Sequence, residues 1–273
     1  MGSMAFRMLA WSEPGDPRVE NEDFVATSAD VAVVLDGVTP LDRDDTGCQH
    51  GVAWYARTLG TYLLQLAGDR RDSLADCLAT AIRRVRDDHA GTCDLDHFDS
   101  PAATVSAVRV RDGRLEYLVL SDASVVLDLE SDGTKPDIRW ITDHRASEVG
   151  RRLRAAGIPP TGHAVRTHRN RAGGYWVAAE RPEAAYQALG GSVPVAEVRR
   201  AVIASDGATR LIDVFGLFDW TDALDLIEHE GVDAYVARTR AVEKEDAARP
   251  SASRVNRGKT HDDTTLVFLT RWT

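Results

Sequence analysis

Short apolar runs separated by polar turns predict several buried strands along the chain. The runs Val31–Leu35 and Arg200–Ala204 are apolar, partly β-branched and of strand length. The dipeptide Asp112-Gly113 separates two further runs and is typical of a tight hairpin turn. Other strands are expected at 104–110, 115–120, 124–129 and 266–270.

Helical periodicity fills the chain between and after these strands. Leu74, Leu78, Ile82 and Val85 recur at spacings of three and four residues, which predicts a helix over 72–89. Hairpin-linked strands imply antiparallel sheets, and short βα alternations are few, so the pattern favours an α+β sandwich of sheets flanked by helices over a doubly wound fold. Further helices are expected at 47–66, 145–156, 182–189 and 221–242.

Composition narrows the range of partners. The 273 residues include 33 Lys and Arg against 43 Asp and Glu, a formal net charge of −10. Such an acidic chain is a poor match for nucleic acid or an anionic membrane, and neither is expected as a partner. No apolar run reaches the roughly 18 residues of a membrane span, so a cytoplasmic location is expected. Cys48, Cys77 and Cys93 form no Cys-x-x-Cys motif, which predicts free thiols in a reducing compartment.

One group of residues has a spacing that resembles a metal site. His89, Cys93 and His97 follow one another at intervals of four residues. A zinc site would need a fourth ligand and an uninterrupted helix, whereas Gly91 lies within this stretch. The sequence therefore favours a polar loop here.

Asp-Gly occurs four times, and two of the four end an apolar strand. These are Asp36-Gly37 and Asp206-Gly207, whereas Asp112-Gly113 and Asp132-Gly133 lie in polar surroundings typical of turns. A carboxylate at the end of a buried strand projects into whatever cleft lies there, and glycine lets the backbone turn away or approach a ligand. Each pair taken alone is also compatible with a simple Asx turn.

Two further acidic pairs favour a shared site over isolated Asx turns. Glu22-Asp23 precedes the strand that leads to Asp36, and Asp262-Asp263 opens the last strand. Carboxylates gathered at one edge of a sandwich repel one another, and that repulsion calls for cations. Ligand sets made of oxygen alone favour Mg²⁺ or Mn²⁺ over Zn²⁺.

Six short segments then form a recognisable series over about residues 18–270. They are RVENED at 18–23, VLDG at 34–37, LSDAS at 120–124, ITDH at 141–144, SDG at 205–207 and DDTTLV at 262–267. In order and spacing they resemble the signature blocks of the metal-dependent protein phosphatases (PPM, the type 2C serine/threonine phosphatases), in the form of a bacterial-type, free-standing catalytic domain.

The resemblance implies a four-layer α-β-β-α sandwich of two mainly antiparallel sheets, with a binuclear Mn²⁺ or Mg²⁺ centre at one end. A metal-activated bridging water would hydrolyse phosphoserine or phosphothreonine in a protein substrate. The implied roles are: Asp36 bridging two ions; Asp206 and Asp262 completing one site; Glu22 and the carbonyl of Gly37 serving the other; Asp122 with Asp206 holding a third ion; and Arg18 binding the substrate phosphate.

Several positions depart from the family pattern. Val38 stands where many members have a histidine proposed as general acid, Ser121 replaces a glycine beside Asp122, and Asp263 replaces an asparagine. These departures keep two alternatives open, a catalytically weak or inactive pseudophosphatase that binds a partner, and a hydrolase of small phosphoesters. The chain is expected to be a monomer and a single domain over residues 1–273, with a variable flap at about 145–195.

Overall fold

The computed structural model describes residues 6–131, 133, 135–255 and 259–271. Within them, ten strands form two five-stranded sheets in which every neighbouring pair is antiparallel. The first sheet contains, in spatial order, β1 (Phe6–Glu13), β10 (Thr264–Arg271), β9 (Val198–Ala204), β6 (Ser124–Leu129) and β7 (Asp137–Thr142). The second contains β2 (Phe24–Thr27), β3 (Val31–Gly37), β4 (Ala103–Arg111), β5 (Arg114–Leu120) and β8 (Leu189–Pro194).

Strand β3 shows why the two sheets stack. All five apolar residues from Val31 to Leu35 are buried, because both faces of this strand are covered. Val33 and its odd-numbered neighbours pack against helices, whereas Ala32 and Val34 pack against the first sheet, beside Ile203 and Val267. This alternation is the two-residue period of a strand, and it places the next even residue, Asp36, on the side between the sheets.

Helices cover both outer faces of the stacked sheets. The helices α1 (Gly51–Gly68) and α2 (Leu74–His89) pack on the second sheet, and Ser73 caps α2 by accepting a hydrogen bond from the Asp76 amide at 3.1 Å. On the other side, α5 (Asp206–Asp213), α6 (Trp220–Glu230) and α7 (Val232–Ala248) pack on the first sheet. The expected four-layer α-β-β-α sandwich is thereby confirmed.

A buried guanidinium joins the second sheet to the helices outside it. Arg109 on β4 is fully buried and donates to the Glu116 carboxylate at 2.6 and 2.9 Å. Its remaining donors reach the carbonyls of Ala67 at 3.1 Å and Asp72 at 2.9 Å, where α1 ends and the chain turns towards α2. A buried charge is tolerated here because it is paired and hydrogen-bonded.

The observed elements differ from the sequence expectation in a few places. The helix expected over 221–242 is two helices, because Gly231 between them adopts a φ of +99°. The segment expected as a helix over 182–189 forms a 3-10 helix at Pro182–Gln187 and then the edge strand β8. Strands β1, β2, β7 and β8 were not predicted.

The remaining helices lie in the stretch proposed as a flap. These are α3 (Arg145–Ala155) and α4 (Gly162–Arg166), which pack over Tyr175 and Val177 in a small separate core. The hairpin turn at Asp112-Gly113 is confirmed, with positive φ at both residues, whereas Asp132 of the second predicted turn lies outside the described residues. No helix in the described part of the chain combines the length and apolarity needed to cross a bilayer.

Candidate active site

Carboxylates from five segments of the chain meet at one end of the sandwich. Asp36, the penultimate residue of β3, lies within electrostatic reach of Asp206, Asp23, Asp122 and Asp262. The two sheets thus deliver acidic side chains to a shared edge. The structure therefore brings together the four aspartates that the sequence analysis proposed as metal ligands.

Two strand ends of the first sheet fix the positions of Asp206 and Asp262. Asp206 is the first residue of α5, directly after β9 and Ser205, and Asp262 lies two residues before β10. Paired hydrogen bonds hold these ends in register, because Ser205 donates its amide to the Thr265 carbonyl at 2.9 Å and accepts the Thr265 amide on its hydroxyl at 3.0 Å.

The glycines that follow Asp36 and Asp206 are required by close packing. A Cβ on Gly37 would collide with the Val52 side chain and with the carbonyl oxygen of Glu22, to which the Gly37 amide donates at 3.1 Å. A Cβ on Gly207 would collide with the carbonyl of Asp263. The missing side chains therefore let three acidic segments approach one another at backbone distance.

Asp263, the second acid of its pair, holds two backbone segments together. Its two carboxylate oxygens accept the Gly15 amide at 2.8 Å and the Glu22 amide at 2.7 Å. These bonds tie the loop between β1 and β2 to the start of β10. The negative charge that replaces the usual asparagine of this position thus has backbone partners.

Burial and mutual repulsion make the cluster hard to ionise. Desolvation by burial, with repulsion from neighbouring carboxylates, raises the pKa of Asp206 to about 8 and that of Asp23 to about 7. The same causes raise the pKa of Asp36 well above its usual range. Strongly perturbed carboxyl groups gathered in one place are typical of functional sites.

Asp122 lies in the turn between β5 and β6, beside a strained backbone position. Ser121 adopts a φ of +66°, a conformation that favours glycine, and its hydroxyl donates to the Asp122 carboxylate at 3.2 Å. Asp122 as a residue is solvent-exposed at the rim of the cluster, but protein atoms surround its carboxyl group. Loss of water around that group raises the pKa of Asp122, and repulsion from Asp143 and Asp213 adds to the effect.

Glu22 joins the cluster with partners that the sequence analysis did not identify. It is 6% exposed, accepts the Thr39 hydroxyl at 2.6 Å and forms an ion pair with Arg43 at 2.8 Å. Both partners belong to the loop that follows Gly37. Motif spacing gave no indication of these contacts, since neither Thr39 nor Arg43 lies in a signature segment.

Lys259 places a second positive charge beside the carboxylate cluster. Its ammonium group donates to Asp262 at 2.8 Å and to the Thr39 hydroxyl at 2.9 Å. Partial burial opposes the charge, but the hydrogen bond to Asp262 and the nearby Asp36 and Glu22 carboxylates raise the pKa of Lys259. One ammonium group therefore lies close to three of the proposed metal ligands.

Arg18, proposed to bind the substrate phosphate, points into solvent. Its side chain is 86% exposed and forms a bidentate pair with Asp16, with N–O distances of 2.7 and 2.9 Å. The hydrogen bonds from Arg18 lower the pKa of Asp16 to about 2. Arg18 borders a surface pocket of about 490 Å³ together with Thr260 and His261, the two residues before Asp262.

Comparison with known proteins agrees with this architecture. Residues 20–149 match the family model described as Protein phosphatase 2C. The match covers 130 of the 273 residues, and over this part the chain is similar to the type 2C (PPM) protein phosphatases. No curated protein matches the chain significantly.

Solved structures of PPM phosphatases share the fold over nearly the whole chain. The catalytic domain of the serine/threonine phosphatase PstP, in complex with two manganese ions, has a TM-score of 0.57 at 16% identity, with 99% of this chain and 100% of that one covered. MsPP from Mycobacterium smegmatis, in complex with cacodylate, has a TM-score of 0.58 at 19% identity, with 98% and 99% covered. Stp1 from Staphylococcus aureus has a TM-score of 0.57 at 12% identity, with 100% and 97% covered.

Proposed function

We propose that the domain is a metal-dependent phosphoserine/phosphothreonine protein phosphatase whose centre lies at the carboxylate cluster. The observation that carries the proposal is the convergence of Asp36, Asp206, Asp122 and Asp262 at one end of a PPM-type fold. Desolvation, with repulsion from neighbouring carboxylates, raises the pKa values of Asp36, Asp206 and Asp122. Carboxylates that are crowded together and poorly hydrated require cations if they are to be ionised near neutral pH.

The donor set fits Mn²⁺ or Mg²⁺. All of its atoms are oxygens, which these ions prefer, and the structurally similar PstP domain is in complex with two manganese ions. In the proposed assignment Asp36 would be a ligand shared by two ions, and Asp122 with Asp206 would hold a third. When bound, such ions neutralise charge on a phosphoryl group and supply an activated water for its hydrolysis. Asp206 and Asp262 would complete the ligands of one of the two ions, and Glu22 with the carbonyl of Gly37 would complete those of the other.

Side chains around the cluster position the Glu22 carboxylate and supply a group for the substrate phosphate. Thr39 and Arg43 hold the Glu22 carboxylate in place, and Arg43 must give way if Glu22 is to face a cation. Among the described residues the exposed Arg18 pairs only with the surface carboxylate of Asp16, so it can exchange Asp16 for a substrate phosphate at modest cost. Its planar fork suits bidentate phosphate contacts.

The substrate is proposed to be a phosphorylated protein, which the flap at about 145–195 would contact. Arg145, Arg151 and Arg152 line an open groove of about 690 Å³ together with Trp176. Glu148 lines the groove as well, and the excess of arginines over this one carboxylate complements phosphorylated, acidic segments. In this proposal residues 1–273 act as one domain and as a monomer.

A second candidate function is a binding module without turnover. Lys259 and Arg43 already occupy Asp262 and Glu22, and such internal cations compete with divalent ions for the same carboxylates. If they persist, the domain would keep its fold and bind a phosphorylated partner without hydrolysing it. Calorimetry that shows no Mn²⁺ binding to a folded protein would favour this candidate.

Hydrolysis of an aryl phosphate with and without Mn²⁺ tests the leading proposal. Asp36→Asn and Asp206→Ala should each reduce Mn²⁺-dependent turnover by more than about 100-fold, since even changes in outer-shell partners of a metal cost about 10–100-fold. Asp112→Asn, at an exposed hairpin turn, is the matched control and should leave turnover unchanged. Undiminished turnover in both cluster variants would contradict the assignment. A comparison of phosphopeptides with small phosphoesters then separates a protein phosphatase from a small-molecule hydrolase.

A further inference from the structure

A second group of metal-binding side chains lies where α1 begins, outside the carboxylate cluster. The ligand atoms of Cys48, His50, His89 and Cys93 all lie within 4.8 Å of one another. Within the described residues, this is the one set of three or more His, Cys, Asp or Glu side chains that is drawn together so closely.

Distances within this group match those of a tetrahedral site. The two sulfurs are 3.3 Å apart, and His50 Nδ1 lies 3.3 Å from Cys93 Sγ and 3.7 Å from Cys48 Sγ. His89 Nδ1 is also 3.7 Å from Cys48 Sγ. Zinc bonds of about 2.3 Å to sulfur and 2.0–2.1 Å to nitrogen place tetrahedral ligands about 3.4–3.8 Å apart. Four of the six donor–donor distances, at 3.3–3.7 Å, are thus close to those of a tetrahedral site, and all six are within 4.8 Å.

The start of α1 and the end of α2 direct all four side chains towards the space between their donor atoms. Cys48 and His50 lie one residue apart on the segment that enters α1, and the backbone amides of residues 49–51 face the two sulfurs. His89 ends α2, and Cys93 continues its last turn because the Cys93 amide donates to the His89 carbonyl at 3.0 Å. Residues four apart in a helical turn project to the same side.

Aromatic packing limits the freedom of both imidazoles. Trp54 stacks on the His50 ring with centroids 4.3 Å apart, and its ring lies 5.4 Å from that of His89. His89 is 4% exposed, whereas the two cysteines and His50 are half-buried. The group is therefore preorganised, with its donor atoms turned inward and one side near the surface.

We propose that Cys48, His50, His89 and Cys93 bind a structural Zn²⁺ ion that is separate from the carboxylate centre. Two thiolates and two imidazoles are the ligands of structural zinc sites, whereas oxygen-only sets suit Mn²⁺ and Mg²⁺. Four protein ligands fill the coordination shell and leave no open position for a substrate, which assigns the ion a structural role.

The zinc site fixes the loop that supports Glu22. This loop runs from Val38 to His50, and its first half carries Thr39 and Arg43 onto the Glu22 carboxylate. At its far end, Gly47 accepts the Asp94 amide at 2.8 Å, and the zinc ligands join the loop to the end of α2. The ion thereby closes a connection between two segments that are about forty residues apart in sequence and holds the loop beside the active site.

This assignment corrects the sequence-based interpretation of the region. The spacing of His89, Cys93 and His97 suggested His97 as the third member and left a fourth ligand missing. In the structure His97 instead accepts the Asp99 amide at 3.1 Å and contacts the Asp45 carboxylate at 3.3 Å. The missing ligands come from Cys48 and His50, which no local spacing could reveal.

Metal analysis of the full chain, purified under reducing conditions without added metal, tests the proposal. Wild type should retain about one zinc ion per chain, and Cys48→Ser and Cys93→Ser should lose it, with an affinity more than about 100-fold weaker. Cys77→Ala and His97→Gln, which lie outside the set of ligands, should keep the zinc. Asp36→Asn should also keep it, because the carboxylate centre is separate.

Two further measurements guard against variants that fail to fold. In wild type, removal of the metal should increase hydrogen exchange of residues 38–50, and Zn²⁺ but not Mn²⁺ should restore protection. Cobalt substitution should produce thiolate-to-metal absorption in wild type and in Cys77→Ala. A wild-type chain that neither retains nor takes up zinc would overturn the proposal, as would Cys48→Ser and Cys93→Ser variants that keep it.

Discussion

Stability of the metal-free protein should fall as pH rises, and Asp206→Asn should remove much of that fall. Burial and repulsion raise the pKa of Asp206 to about 8 and that of Asp23 to about 7, from a usual value of 3.8. The folded protein therefore binds more protons than the unfolded chain between about pH 4 and pH 8. The stabilising effect is complete below about pH 4 and is lost as pH rises through the folded pKa values.

The size of this effect follows from the shift. Each pKa unit corresponds to about 1.4 kcal/mol, so a shift of about three to four units is worth on the order of 5 kcal/mol. That is a large part of the roughly 5–15 kcal/mol by which a typical domain is stable. Asparagine stays neutral, so Asp206→Asn also relieves the repulsion that Asp206 exerts on Asp36. In a chain of this size, the variant should unfold roughly 10 °C higher than wild type at pH 8 without metal.

Thermal unfolding followed from pH 5 to pH 8 in the presence of a chelator measures the effect. His89 works in the opposite direction, because burial and then His50 lower its pKa and its neutral form gains stability as pH rises. Wild type and Asp206→Asn share this His89 contribution, so it cancels when their unfolding midpoints are compared. Mn²⁺ at pH 8 should stabilise wild type, since ligands that bind the folded state raise its stability, and it should stabilise Asp206→Asn much less. The exposed Asp112→Asn variant should follow wild type. A midpoint for Asp206→Asn at or below that of wild type at pH 8 would refute the reasoning.

Three other substitutions probe the site and the core. Asp16→Asn frees Arg18 from its surface pair, which should lower KM for an aryl phosphate by up to about fivefold, whereas an unchanged KM would argue against a phosphate role for Arg18. Arg109→Met leaves Glu116 without its buried partner and should cost about 3–5 kcal/mol in urea unfolding, so a loss below 1 kcal/mol would contradict the network. Gly37→Ala should cost about 1–3 kcal/mol of stability, because its Cβ meets neighbouring backbone; unchanged stability would show that the site can relax.

Much of the fold could be predicted because its strands are short apolar runs with clear limits. The run at Val31–Leu35 has both faces buried and ends in Asp-Gly, and the observed strand Val31–Gly37 contains all of it. The strands that were missed, such as β7 at Asp137–Thr142, are edge strands with exposed or half-buried residues, so their hydrophobic pattern is weak. The break at Gly231 depends on backbone conformation, which composition within a helical pattern does not reveal.

The candidate active site also has one part that the sequence predicts and one part that it does not. The aspartates at strand ends could be predicted because each follows a recognisable apolar run, and the sheets then bring these ends to one edge. The cations that face them could not be predicted, because Arg43 and Lys259 lie in polar loops whose course is set by tertiary contacts.

Arg43 and Lys259 decide how readily Glu22 and Asp262 exchange an internal cation for a divalent ion. The balance between phosphatase and binding module therefore depends on the loops around the signature motifs, and Lys259→Met should tighten Mn²⁺ binding by up to about fivefold in calorimetry, the scale of one half-exposed ion pair. Unchanged or weaker Mn²⁺ binding in this variant would show that Lys259 supports the centre and does not compete with the ion.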